Sequence, residues 1–164
     1  MSPAGAIREK HDGVLGDRSS VRVWLRLLSC TMAVEKEVRR RFADQGMTLP
    51  RFDVLAALDR HREMTMGALS EALLVSNGNV TQLVQKLVRD GLVELRKPPA
   101  DRRSSIVRLT DEGRRTFDRL ARLHQDWIDE MIGGLDFTQR ERLYVGLGML
   151  KTSIGRAAPR KGRT

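Results

Sequence analysis

Between Ser76 and Leu109 the apolar period of this chain changes from that of a helix to that of a strand, and this change constrains the fold more than any other feature. Val80, Leu83, Val84, Leu87 and Val88 recur at the i, i+3, i+4, i+7 and i+8 spacing of an amphipathic helix. Ser76 stands where an N-cap belongs, Val75 and Val80 take the positions of a hydrophobic staple, and Gly91 sits where a C-terminal glycine ends a helix. After it Val93 and Leu95 alternate with Glu94 and Arg96, and Ile106-Val107-Arg108-Leu109 makes a second extended run. Pro98 and Pro99 stiffen one arm of the connecting loop, which ends in Asp101-Arg102-Arg103-Ser104. The stretch therefore predicts a helix followed by a β-hairpin with a basic tip.

The flanks predict more helices. Val21, Trp24, Leu25, Leu28 and Met32 recur at helical spacing, with Val23, Leu27, Cys30 and Val34 as a second stripe, so a helix from about Ser20 to Ala43 is expected to be buried on two sides. Pro50 suits the first turn of a second helix, with Phe52, Val54, Leu55 and Leu58 inward. Thr65 can cap a third, in which Met66, Leu69 and Leu73 point inward. Thr110 caps a long fifth helix with Asp111 and Glu112 in its first turn, where Phe117, Leu120, His124, Trp127, Ile128 and Met131 form a seam that Gly133-Gly134 ends. Thr138 and Glu141 read as the capping box of a sixth helix bearing Leu143, Leu147, Leu150 and Ile154. The expected organisation is a flexible tail over 1–18, one domain over 19–154 and a basic tail over 155–164. Within the domain a central lobe covers about 48–110, flanked by long helices over about 20–44 and 111–154. The fold class is mainly α with a small β-hairpin, and the excess apolar surface of the flanking helices predicts a homodimer.

Composition narrows the partners. Thirty basic against 21 acidic residues give a formal charge of +9, which favours a polyanion through counterion release. Arginine dominates the basic set, which fits phosphate and guanine recognition but equally a GC-rich genome. The single cysteine, Cys30, excludes an intrachain disulfide and a cysteine-rich zinc site, and its apolar stripe favours a buried inert thiol over a redox sensor. His11, His61 and His124 show no metal-ligand spacing. No cofactor is implied. With no signal-like or membrane-spanning run, a cytoplasmic location without membrane association is expected.

Opposite the apolar stripe of the fourth helix lie Asn77, Asn79, Thr81, Gln82, Gln85, Lys86 and Arg89. Amides bond bidentately to adenine, guanidinium and ammonium groups to guanine, and a threonine methyl touches thymine. We expect Gln82 and Gln85 to point into a groove while Ser76, Asn77, Thr81 and Lys86 hold phosphates of double-stranded DNA. A solvated helix face has the same composition; the following hairpin favours DNA. At its tip, Arg102, Arg103 and Ser104 are candidate contacts, and Asp101 can orient the Arg103 guanidinium. Trp24, Phe52, His124 and Trp127 are candidates for a small-molecule pocket, although aromatics at helical spacing usually pack as core.

In this order of elements the chain resembles the MarR family of winged helix-turn-helix transcriptional regulators. The resemblance is carried by Leu87-Val88-Arg89-Asp90-Gly91-Leu92-Val93, by Asp101-Arg102-Arg103, and by Val107-Arg108-Leu109-Thr110-Asp111-Glu112-Gly113, and it covers about Val21 to Ile154. It implies a dimer on a partly palindromic operator, with Ser76 to Arg89 in the major groove and Arg103 reaching the minor groove. Leu49-Pro50-Arg51-Phe52-Asp53, Ser76-Asn77-Gly78-Asn79-Val80-Thr81 and His124-x-x-Trp127 look like a branch governing catabolism of aromatic acids such as hydroxycinnamates. That likeness implies a repressor released by an aromatic acid or its CoA thioester.

Enzymatic signatures are missing from the sequence. It has no phosphate-cradling glycine loop after a strand, no His-Glu-x-x-His and no nucleophile elbow, and Gly146-x-Gly148 lies within a helical stretch. A sequence-indifferent nucleoid-type protein and a winged-helix protein-interaction module remain as alternative readings.

Overall fold

A computed structural model describes residues 19–96 and 105–157. In chain order the elements are α1 (Ser19–Asp44), α2 (Leu49–His61), β1 (Glu63–Thr65), α3 (Met66–Leu73), α4 (Asn77–Arg89), β2 (Val93–Arg96), β3 (Ile106–Leu109), α5 (Asp111–Ile132) and α6 (Phe137–Ala157). Contacts divide the chain into one unit up to Trp127 and another from Ile128 onward. The mainly helical class with a hairpin is the one expected, with one strand added. β1 pairs antiparallel with β3, which also pairs with β2, so the sheet order is β1-β3-β2. No described helix is long and apolar enough to cross a membrane.

The central unit is built where the sequence periods converge. α2 packs on both α3 and α4, and Val54, Leu55, Leu58, Leu69, Val80, Val84 and Leu87 are fully buried between them. Val107 closes this core from the sheet. Thr65 accepts a hydrogen bond from the Ala68 N–H at 3.1 Å and Ser76 accepts one from Asn79 at 3.4 Å, so both expected N-caps form. The turn between α3 and α4 is held by a residue the sequence did not advertise. Ser70 is buried, and its hydroxyl donates to the Val75 carbonyl at 2.6 Å while Leu74 adopts a left-handed conformation at φ 55°.

Several expectations need correction. The cap of α6 is Asp136 with Gln139 rather than Thr138 with Glu141. The Asp136 carboxylate accepts from the Gln139 N–H at 2.8 Å, and the Gln139 amide oxygen accepts from the Asp136 N–H at 2.9 Å. Both pairs have the spacing of a capping box, and the one nearer the turn wins because its carbonyl already accepts the first helical bond, from Arg140. Val88 is not inward but 37% exposed, at the margin of the α4 stripe. In α1 only Val38 and Phe42 are buried. Val21, Val23, Trp24 and Met32 stay exposed in the single chain, and so does Cys30, for which a buried thiol was expected. α6 has no buried residue, leaving Leu143, Tyr144, Val145, Leu147, Met149 and Ile154 open.

Candidate nucleic-acid interface

α4 turns its polar side outward. Asn77, Asn79, Thr81, Gln82, Gln85, Lys86 and Arg89 are all exposed, as is the capping Ser76. Because Val80, Val84 and Leu87 define the buried side, the residues farthest from it are Gly78, Gln82, Gln85 and Arg89, a single stripe at i, i+4, i+7 and i+11. Thr81 donates its hydroxyl proton to the Asn77 carbonyl at 2.8 Å, so toward an outside partner it offers a methyl group and acceptor lone pairs. Arg102, Arg103, Ser104 and Asp101 lie outside the described residues. What is described of the hairpin is its base, where Val93 faces Leu109 and Arg96 faces Ile106 across the strands. Arg108 stands in register between Glu63 and Glu94 and donates to the Glu94 carboxylate.

Two fixtures hold α4 and the hairpin base in place; the first was not foreseen, and the second includes the expected cap at Thr110. At the end of α4, Asp90 accepts from the Arg51 guanidinium in the first turn of α2. The Arg51 side chain is only 15% exposed, and its buried Nε has no partner among the described residues, so Asp90 supplies compensation for a largely desolvated charge. At the start of α5, the Thr110 hydroxyl donates to the Gly91 carbonyl at 2.6 Å and accepts from the Gly113 N–H at 2.9 Å, while the Thr110 N–H donates to the Leu92 carbonyl at 3.1 Å. The chain leaves α4 through Gly91 at φ 71°, and α5 begins against that same exit.

The aromatic candidates separate. Phe52, His124 and Trp127 come together, joined by Phe42 and Phe117, whereas Trp24 stands 55% exposed on α1 with no ring contact among the described residues. Phe42 is the centre. Its ring lies 4.6 Å from Phe52, 5.1 Å from Trp127 and 5.7 Å from His124. The signal for it in the sequence is the continuation of the Val34 stripe to Val38 and Phe42 at a spacing of four.

Burial in this cluster holds the His124 imidazole below its usual range near 6.5. The unfolded chain accepts a proton there that the folded chain resists, so His124 weakens the fold as the pH falls through about 6.5. Urea midpoints at about pH 7.5 and about pH 5.5 are expected to drop more on acidification for the wild type than for His124→Gln. Equal drops would assign the acid sensitivity elsewhere.

Comparison with known proteins places this geometry. A family model described as the MarR family matches residues 45–104. The uncharacterized HTH-type transcriptional regulator YsmB of Bacillus subtilis is 31% identical over 110 residues, covering 66% of this chain and 74% of YsmB. The transcriptional activatory protein BadR of Rhodopseudomonas palustris is 35% identical over 103 residues, 61% of this chain and 59% of BadR, so the match spans under two thirds of that relative. The chain also shares its fold with Bordetella bronchiseptica BpsR, solved to show how 6-hydroxynicotinic acid regulates its DNA binding. The TM-score is 0.70 at 22% identity, over 79% of this chain and 98% of BpsR.

Proposed function

The chain belongs to the MarR family of winged-helix transcriptional regulators, and from that premise we propose that it binds a partly palindromic operator as a homodimer, represses transcription, and is released by a small aromatic effector. One observation carries the DNA-binding part. The seven polar side chains of α4 all face outward on a helix whose two ends are fastened, by Ser76 and by Asp90, so the helix is preorganised to enter a groove. Gln82 and Gln85 are the base readers in this reading, and Ser76, Asn77, Thr81 and Lys86 hold phosphates. Arg103, oriented by Asp101, reaches the minor groove.

The unpartnered apolar residues of α1 and α6 support the dimer, since a single chain leaves them in water. The half-buried rings of Phe117, His124 and Trp127, backed by the buried Phe42 and Phe52, support an aromatic effector, an aromatic acid or its CoA thioester, by leaving ring surface open beside an uncharged imidazole. Such a ligand acts only by favouring the conformation that fits DNA less well, a coupling typically of ~1–3 kcal/mol.

Selection of duplexes from a randomised library on the full chain tests the whole reading. The expected product is a pair of inverted half-sites about one helical turn apart, bound ~10³-fold more tightly than random DNA at matched salt. No enrichment would favour a nucleoid-type protein, and a lone half-site would remove the dimer. On the selected duplex, Gln85→Ala and Arg103→Ala should each cost on the order of 1–3 kcal/mol. Equal weakening on random DNA would show that Gln85 does not read bases. Aromatic acids and their CoA thioesters should raise the melting temperature and lower operator affinity together.

A further inference from the structure

The glycine at position 78 has no reason inside the fold. Gly91 needs its positive φ, and a Cβ at Gly113 would strike the Leu92 backbone. At Gly78 the backbone is ordinary helix and a Cβ would meet nothing within 4 Å. Glycine in a helix carries a larger entropy loss on folding than alanine and adds no packing, so by the needs of the single chain this residue is the wrong one. Gly67, Gly146, Gly148 and Gly155 have the same open surroundings, and what sets Gly78 apart from them is its place on the outward face of α4. It opens the outermost stripe of α4, with Gln82, Gln85 and Arg89 following along the same line, all exposed.

We infer that Gly78 is a specificity-determining residue: its missing side chain lets the first turn of α4 seat its backbone directly on the floor of the major groove. The inference rests on the reading of α4 as the recognition helix. Recognition helices approach base edges with their N-terminal residues, and Gln82 lies one turn further along the same line. A methyl group at position 78 would stand between helix and DNA and lift that turn away. Gln82 and Gln85 would then fall short of the hydrogen-bonding distance that bidentate contacts demand. Binding through phosphates, being long-ranged and tolerant of geometry, would lose much less. Of the first-turn N–H groups, that of Asn79 is taken by Ser76, and those of Asn77 and Gly78 have no acceptor within the helix.

This predicts opposite movements of stability and affinity in one variant. Gly78→Ala should melt at the wild-type temperature or a few degrees above it, because the helix gains a better former. Its affinity for the duplex selected on the wild-type protein should fall about tenfold or more, with random-sequence affinity changed less than about twofold. Gly78→Ser should fall at least as far, since it fills the same space. An unchanged affinity of Gly78→Ala for the selected duplex would overturn the inference while leaving the recognition helix in place. Failure of the wild-type chain to select any sequence would instead remove the reading beneath it. A drop in melting temperature accompanying the loss of binding would overturn the inference as well, by showing that the glycine serves the fold.

Discussion

Gly113→Ala is expected to destabilise the protein by about 3 kcal/mol or more, a large share of the ~5–15 kcal/mol that a domain of this size has. A Cβ at this position would lie 1.8 Å from the Leu92 carbonyl oxygen and 2.8 Å from its carbon, both backbone atoms that no rotamer change can move. Relief requires α5 to slide off the exit of α4. Any such slide strains the Thr110 N–H bond to the Leu92 carbonyl and the Thr110 hydroxyl bond to Gly91, and it loosens Leu92, Val93 and Leu109, which are buried beside them. Overpacking against side chains typically costs ~1–3 kcal/mol because neighbours yield; against a hydrogen-bonded backbone there is less to yield. The same substitution at Gly67, where a Cβ meets nothing within 4 Å, serves as the contrast. It should be neutral or stabilise by up to ~1 kcal/mol. Urea unfolding of both variants at one protein concentration checks the pair. Similar stabilities would mean that the contact with Leu92 is looser in solution than in the structure.

How much of this was legible from the residues depends on the range of the interaction that decides each element. The caps at Thr65 and Ser76, the stop at Gly91 and the buried side of α4 are settled within about one helical turn, and local chemistry is enough to read them. β1 is three residues long and exists because the edge of β3, more than forty positions later, offers it a ladder; no period can announce a strand that short. The α6 cap was misplaced for a different reason. Asp136-Gln139 and Thr138-Glu141 are overlapping boxes of the same form, and the choice between them turns on where the chain leaves the preceding turn.

Arg51 and Asp90 are 39 residues apart and meet only after α2 packs on α4. The motif containing Gly113 was visible in the sequence, but the reason for its glycine was not, since that reason is the Leu92 carbonyl. For the outward face of α4 the sequence supplied the chemistry, and the structure added the line on which Gly78, Gln82, Gln85 and Arg89 fall.

Phe42→Ala should cost about 3–5 kcal/mol, the usual range for removing a fully buried phenyl ring. The ring has no exposed surface and makes three aromatic contacts, with Phe52 from α2 and with His124 and Trp127 from α5. Its backbone carbonyl accepts from Gln45 and Met47, so the same residue fixes the turn that carries the chain from α1 toward α2. Collapse into the space is limited because the surrounding rings are planar and already in contact. Phe42→Leu, which fills part of the volume, should recover more than half of the loss. A second readout separates loss of packing from general unfolding. If the phenyl ring is what shields His124, water entering the space raises the imidazole pKa toward 6.5 in the folded variant, and NMR titration of His124 will register it. A variant that loses stability while His124 keeps its depressed pKa would show that Phe42 supports α1 without forming the wall of the aromatic cluster. Because an effector seated there would replace the same shielding, the titration of His124 with and without a bound aromatic acid then becomes a direct probe of whether the cluster is the ligand site.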